Sequence, residues 1–209
     1  MHIGRTYDKV IRLLRTENLP FQSSEIFNWI AEAIDYFLSA YPLYVVRETA
    51  TVSNPSTFTM TFSANTIKLL RVEMRHSTLP YGGIHLMDKD THFGYGYSLD
   101  RDNNYQLILR PKFNPINGSE FVAYTQKTLP SADKNTILSQ TLPSNLVLSY
   151  LPTHLEDLVS YRVAGEIFNT WYGEEGNYGD KFIQMAEDMA SKMATHMTHN
   201  EKGVVQQRA

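Results

Sequence analysis

Residues 23–52 read SSEIFNWIAEAIDYFLSAYPLYVVRETATV, and within them the apolar period changes from about 3.6 to 2. Ile26, Phe27, Ile30, Ile34, Phe37 and Leu38 fall on one face of a helix, with Glu32 and Asp35 elsewhere. Ser23 and Ser24 offer N-caps, and Glu25 lies near the positive end of the helix dipole. Tyr41-Pro42 closes the helix, because the residue before a proline is held away from helical angles. Tyr44 to Val52 is then rich in β-branched and aromatic residues, and Ser53-Asn54-Pro55-Ser56 is a turn cluster.

Working outward, Tyr7, Val10, Ile11 and Leu14 form an earlier apolar stripe at helical spacing. Its opposite face carries Arg5, Lys9, Arg12 and Arg15 against Asp8 and Glu17, and Asn18-Leu19-Pro20 ends it. The first forty residues are thus expected to form a helical hairpin. Downstream, Thr57 to Phe62 alternates threonine with Phe58, Met60 and Phe62, and Ile67–Met74, Tyr105–Arg110 and Glu120–Thr125 read as further strands. Strands without intervening helices point to an antiparallel meander or small sandwich. Leu79 to Asn104, with Tyr81, Phe93, Tyr95 and Tyr97 among glycines, is expected to be a long loop. Lys127 to Leu151 reads as a linker punctuated by Pro130 and Pro143.

Helical spacing returns after Pro152, where Thr153 and Glu156 suggest a capping box. Leu155, Leu158, Val159, Ile167, Phe168 and Trp171 make one stripe, ended by Gly173. Phe182, Met185, Met189 and Met193 make another, expected to dissolve into a polar tail from Thr198. The expected fold is therefore α+β, with a four-helix layer built from the N- and C-terminal helical pairs and a central antiparallel β-sheet or small sandwich. The corresponding domains are residues 1–42 with 152–200 (helical), 43–151 (β, with loop 79–104) and a tail at 201–209.

The chain has 209 residues and no cysteine, which excludes a disulfide scaffold, cysteine-ligated metal and a cysteine nucleophile. With 19 basic against 22 acidic residues the net charge is -3, a poor balance for neutralising many phosphates. The longest apolar runs fall far short of the roughly 20 residues a membrane helix needs. Met1-His2-Ile3-Gly4-Arg5 leads into a charged helix and not into the apolar stretch of a signal peptide. The average conceals a gradient. The first helix is basic, whereas residues 153–188 carry Glu156, Asp157, Glu166, Glu174, Glu175, Asp180, Glu187 and Asp188 against only Arg162 and Lys181.

Motifs for chemistry are sparse. His196 and His199 could share a metal on a helix, but no third ligand has a matching spacing, and His76, His85 and His92 follow no pattern. Phe93-Gly94-Tyr95-Gly96-Tyr97 lacks the third glycine and the strand–helix context of a dinucleotide loop. No Gly-x-Ser-x-Gly, His-Glu-x-x-His or phosphate-binding loop occurs. The expectation is no catalytic residue, no cofactor and no metal. Tyrosine and glycine in the 79–104 segment suit either a contact loop at a protein interface or a loop folded on its own domain.

Several stretches carry a family likeness. Tyr7-x-x-Val10-Ile11-x-x-Leu14, Ser23 to Ile34 with Tyr41-Pro42, Ser63 to Val72, Leu142-Pro143-Ser144 and Leu151-Pro152 through Ala164 together resemble the head-to-tail adaptor proteins of tailed bacteriophages, the connector or tubular-tail-A-like proteins. The similarity runs over roughly Thr6 to Met197 and consists of element order with loose signatures. The 79–104 insertion and the Val204 to Ala209 tail depart from it. The resemblance implies a non-enzymatic virion protein of the neck or tail, assembled in the host bacterial cytoplasm. Its implied partners are its own copies in a ring of about twelve, the portal, the tail or nozzle protein, and non-specific double-stranded DNA passing through the channel, with no membrane. On this reading Val204, Val205, Gln206, Gln207 and Arg208 are expected to contact the portal, and Tyr81, Phe93, Tyr95 and Tyr97 the tail. The alternatives are another neck or tail-completion protein, or a carbohydrate-binding or carbohydrate-active β module.

Overall fold

The computed structural model describes residues 1–15, 22–54, 59–77, 84–88, 96–100, 106–109, 117–141, 145–172 and 177–206. Its fold is α+β. The chain divides into a helical unit, Met1–Tyr44 with Thr128–Thr198, and a strand unit, Val45–Lys127 with the chain from His199 onward.

The helical unit contains α1 (Ile3–Leu14), α2 (Ser23–Ala40), α3 (Ser131–Leu138), α4 (Leu155–Ile167) and α5 (Tyr178–Gln206) as far as Thr198. The expected stripe of α2 is buried in full, joined by Ala31 and Ala33. It packs on Leu155, Leu158, Val159, Val163 and Ile167 of α4 and on Tyr7, Val10 and Leu14 of α1 in one apolar core. Tyr7 stacks on Phe27 with centroids 5.1 Å apart, and its hydroxyl shares a 3.0 Å hydrogen bond with Ser23 Oγ.

Several sequence expectations need correcting here. The cap of α2 is Gln22 and not Ser23 or Ser24; its backbone N–H donates to the Glu25 carboxylate at 2.8 Å. Ser23 is inside the first turn and occupied by Tyr7. The Thr153–Glu156 capping box does not govern α4, because the Glu156 carboxylate accepts instead from the backbone N–H of His2 at 2.7 Å. Residues 128–151 belong with the helices, not the strands, because α3 packs on α2 and buries Ile137 in the helical core. The α3 sequence has no amphipathic stripe, so nothing in its periodicity marks it.

After Ile167 the helix opens into a π-helical turn, Phe168–Tyr172. The wider turn rotates later positions off the apolar stripe, and Trp171 is 47% exposed where the stripe predicts burial. In α5 the buried line is Ala186 and Ala190; Met185 is exposed, and Met189 and Met193 only flank the core. The helix also runs on to Gln206, so residues 199–206 are helical where composition predicts a polar tail. No proline interrupts them, and Glu201, Lys202 and Gln206 are good helix formers.

The strand unit comprises β1 (Val45–Thr51), β2 (Thr59–Met60), β3 (Thr66–Arg75), β4 (Ile84–Asp88), β5 (Gly96–Asp100), β6 (Gln106–Leu109) and β7 (Glu120–Lys127). They hydrogen-bond in the order β1-β7-β3-β4-β5-β6-β2. The β1-β7-β3 part is antiparallel, with Val46 opposite Thr125 and Glu73 opposite Val122. The 79–104 segment contributes β4 and β5, which pair in parallel, so the sheet is not a simple meander. Met60 and Phe62 are buried between exposed Thr59 and Thr61, as their alternation requires. Strand β7 is flanked on both sides, by β1 and β3, and Phe121, Val122 and Ala123 are buried in succession.

Two arrangements in this fold respond predictably to substitution. A Cβ on Gly165 would meet the Gly179 carbonyl oxygen and Ile183 Cγ1 at 2.7 Å, so α4 and α5 touch through backbone. Gly165→Ala is expected to lower stability by about 1–3 kcal/mol in denaturant titration, outweighing alanine's better helix propensity. Lys127 is 3% exposed on its side chain and donates to Glu48 Oε1 at 2.7 Å and to Ser63 Oγ and Thr66 Oγ1 at 2.6 Å. All three ammonium protons are used. Glu48→Ala strands that charge and is expected to cost about 2–4 kcal/mol in the same measurement, with Glu48→Gln milder.

Candidate functional site

A groove of about 700 Å³ runs along the helical unit. Its apolar surface comes from Leu13 of α1, Tyr161 of α4, Phe168 of the π-helical turn, and Tyr178, Phe182 and Met185 of α5. Phe182 is stacked against Tyr161 (5.9 Å) and lies against Phe168 (5.7 Å), so the floor is one aromatic cluster. Tyr178 is 61% exposed and Met185 45% exposed, seven residues apart and therefore two turns along one helix face.

The rim is basic. Lys9, Arg12 and Arg15 line it from the side of α1 turned away from the core, and Asp157 and Ser160 line it from α4. Lys9 Nζ is engaged, at 2.8 Å from Asp157 Oδ1 and 3.7 Å from Glu156 Oε2. Arg12 and Arg15 are exposed and make no ion pair among the described residues. Arg15 closes α1 in a left-handed conformation (φ 51), where a cation also complements the negative end of the helix dipole. An apolar floor with free guanidinium groups along one edge can hold an acidic, partly aromatic surface. It carries no nucleophile–base pair. Among the described residues no three His, Asp or Glu side chains group as a metal site requires, and no helix is long and apolar enough to cross a membrane.

A second polar cluster ties the helices together. The Arg162 guanidinium bonds Glu166 and Glu187 at 2.9 Å and lies 3.6 Å from the centroid of the Tyr36 ring. Tyr41 donates its hydroxyl proton to Glu187 Oε2 at 2.5 Å, and Tyr150 donates to Asp133 Oδ2 at 2.5 Å. The hydrogen bond to Glu187 pushes Tyr41 up to about 12, and burial with the Asp133 hydrogen bond pushes Tyr150 up as well. Hydrogen bonding to Glu187 raises Tyr36, while burial raises Glu166 against the pull of Arg162.

Of the residues expected to make contacts, Tyr97 lies in β5, opposite Leu109 of β6 and Asp88 of β4. Tyr81, Phe93 and Tyr95 lie outside the described residues. Val204, Val205 and Gln206 form the last turn of α5, and Gln207 and Arg208 lie outside the described residues. Of the histidines, His85 is in β4 opposite Glu73, His196 and His199 are in α5, and His92 lies outside the described residues. Nothing in the sequence announces the groove itself. Its basic edge is visible as the polar face of the first helix, but the floor joins Tyr161, Phe168 and the Phe182–Met185 stripe, which belong to separate stretches of sequence.

No protein-family model matches the chain, and no curated protein matches it either.

The tyrosine–carboxylate pairs set an alkaline limit. Each phenol keeps its proton more tightly in the folded chain than at its ordinary value of 10.0, so the contribution is complete below pH 10 and is lost as pH rises through the folded values. Denaturant midpoints are expected to fall as pH rises from 10 through about 12, and Tyr41→Phe should remove Tyr41's share of that fall.

Proposed function

We propose that this chain is a structural ring subunit of the neck of a tailed bacteriophage, the head-to-tail adaptor between portal and tail, and that it performs no catalysis. The observation that carries this reading is the way two separate stretches, Met1–Tyr44 and Thr128–Thr198, form one helical unit, with the strands as an excursion between Tyr44 and Thr128. That is the element order on which the likeness to the adaptor proteins rests. Further support comes from the exposed Trp171, Tyr178 and Met185, residue types enriched where proteins meet. A slightly acidic chain also suits a channel through which DNA must slide without being held.

In this reading copies assemble into a ring of about twelve under the portal, in the cytoplasm of the host, and remain in the virion. The end of α5 at Val204–Gln206 and the residues after it face the portal, and the segment around Tyr97 faces the tail or nozzle protein. The absence of cysteine fits assembly in a reducing compartment.

Purified full-length chain, alone and mixed with assembled portal, tests the proposal by mass measurement and electron microscopy of particles. The expected result is a small species alone and a ring on one face of the portal after mixing. A chain lacking residues 202–209 should lose docking while keeping its helical circular dichroism. Failure of the full-length chain to bind portal would overturn the adaptor reading, and docking by the shortened chain would overturn the role of the α5 end.

A further inference from the structure

The groove between α1, α4 and α5 has unpaired cations along its edge and aromatic side chains across its floor. The helical unit also holds a surface of the opposite character. Helix α2 contains Glu25, Glu32 and Asp35 and no lysine or arginine. Its outward positions Glu25, Asn28, Glu32 and Tyr36 are all exposed and follow one another at spacings of three and four, one face of a helix. Asp35 is paired with Lys134 at 2.5 Å, but Glu32 makes no ion pair among the described residues. Tyr36 keeps 38% of its surface exposed although Arg162 covers one side of its ring.

The two surfaces are opposite in sign. Arg12 and Arg15, the exposed cations of the groove's edge, are three residues apart on one side of α1, and Glu32 is exposed on the outward face of α2. We infer that the groove between α1, α4 and α5 is the socket for the acidic face of α2 from a second copy of this chain. Arg12 and Arg15 take the free carboxylate of Glu32, and Tyr36 lies against the floor near Phe182 and Met185. Because the groove and the α2 face are different surfaces, each copy offers both, and the contact is head-to-tail. Such a contact generates a ring or a filament where the two surfaces lie too far apart for two copies to satisfy each other reciprocally. This inference rests on the ring reading above and names the surfaces through which the ring would close.

The chain's lack of cysteine makes the contact directly testable. One protein carries Asn28→Cys, on the α2 face between the two glutamates; another carries Met185→Cys, on the groove floor. After mild oxidation with diamide, the mixture is expected to give a disulfide-linked heterodimer, and each protein alone little dimer. A single chain carrying both substitutions should give a ladder of oligomers. Adding Arg12→Glu and Arg15→Glu to the groove partner should cut the heterodimer yield at least tenfold while leaving its melting temperature within a few degrees. The inference is overturned if the mixture gives no heterodimer, if the Met185→Cys protein dimerises with itself just as well, or if charge reversal leaves the yield unchanged. Mixing the wild-type chain with portal separates the two readings. Rings on the portal without heterodimer sink the socket alone, and in that case crosslinks from the Met185→Cys protein to the portal would identify a different occupant. Heterodimer without portal docking keeps the socket and removes the neck assignment.

Discussion

Glu156, a residue only 4% exposed, carries the carboxylate on which the helical unit depends. A buried carboxylate is costly unless its oxygens are occupied. Here Oε1 accepts the His2 backbone N–H at 2.7 Å and Oε2 lies 3.7 Å from Lys9 Nζ. Glu156 is in the first turn of α4, and His2 is the cap of α1, so the positive ends of two helix dipoles converge on one acid. Around it the chain start is stitched to the approach of α4: the Met1 amine donates to the carbonyls of Leu148 and Leu151, Leu148 N–H to Met1 O, and Ile3 N–H to Leu146 O. These contacts close a sequence separation of 154 residues and set the direction of α1. The groove follows from that direction, because it brings the basic edge of α1 beside Tyr161 of α4.

Helix α4 is the hub through which the other helices are related. Its Gly165 admits the backbone of α5 at Gly179, a closeness that any side chain would prevent. Its Arg162 reaches α5 through Glu187 and α2 through the Tyr36 ring, so one guanidinium fixes three helices. The small buried residues Ala186 and Ala190 let α5 approach while its larger side chains spread to either side. Phe182 spreads toward Tyr161 and Phe168, and the aromatic floor is the result.

What can be read from the sequence follows from which contacts are local. The stripe of α2 and the change to strand period at Tyr44 are set by residues a few positions apart, and both survive intact in the fold. Ser23 and Glu156 mislead for one reason: each has a plausible local hydrogen-bond partner, and a distant one wins it. Tyr7 claims Ser23, and His2 claims Glu156. The π-helical turn breaks the assumption of constant period, which is why the spacing places Trp171 in a core that it leaves. Helix α3 has little periodicity of its own and exists because Ile137 and the Lys134–Asp35 pair attach it to α2. The groove has no local signature, because its floor needs α4, the π-helical turn and α5 to be already packed.

The charges divide into two sets with different consequences. Within each unit the buried ones are saturated: Lys127 uses all three protons, and Glu73, with a side chain 2% exposed, is held between Arg71 at 2.5 Å and Arg75 at 2.8 Å. They stabilise one copy and have nothing left to offer another. Arg12, Arg15 and Glu32 are the opposite case, exposed and unmatched among the described residues, with acid and base on different faces of one unit. A net charge of -3 averages these faces and hides them. For a head-to-tail contact, the angle between the two faces decides whether successive copies close or spiral. In the helical unit that angle is held by the Arg162 clasp, the Gly165 contact and the Glu156 cap. If the groove receives α2, the interactions that hold a single copy together are therefore the same ones that fix how many copies complete a turn.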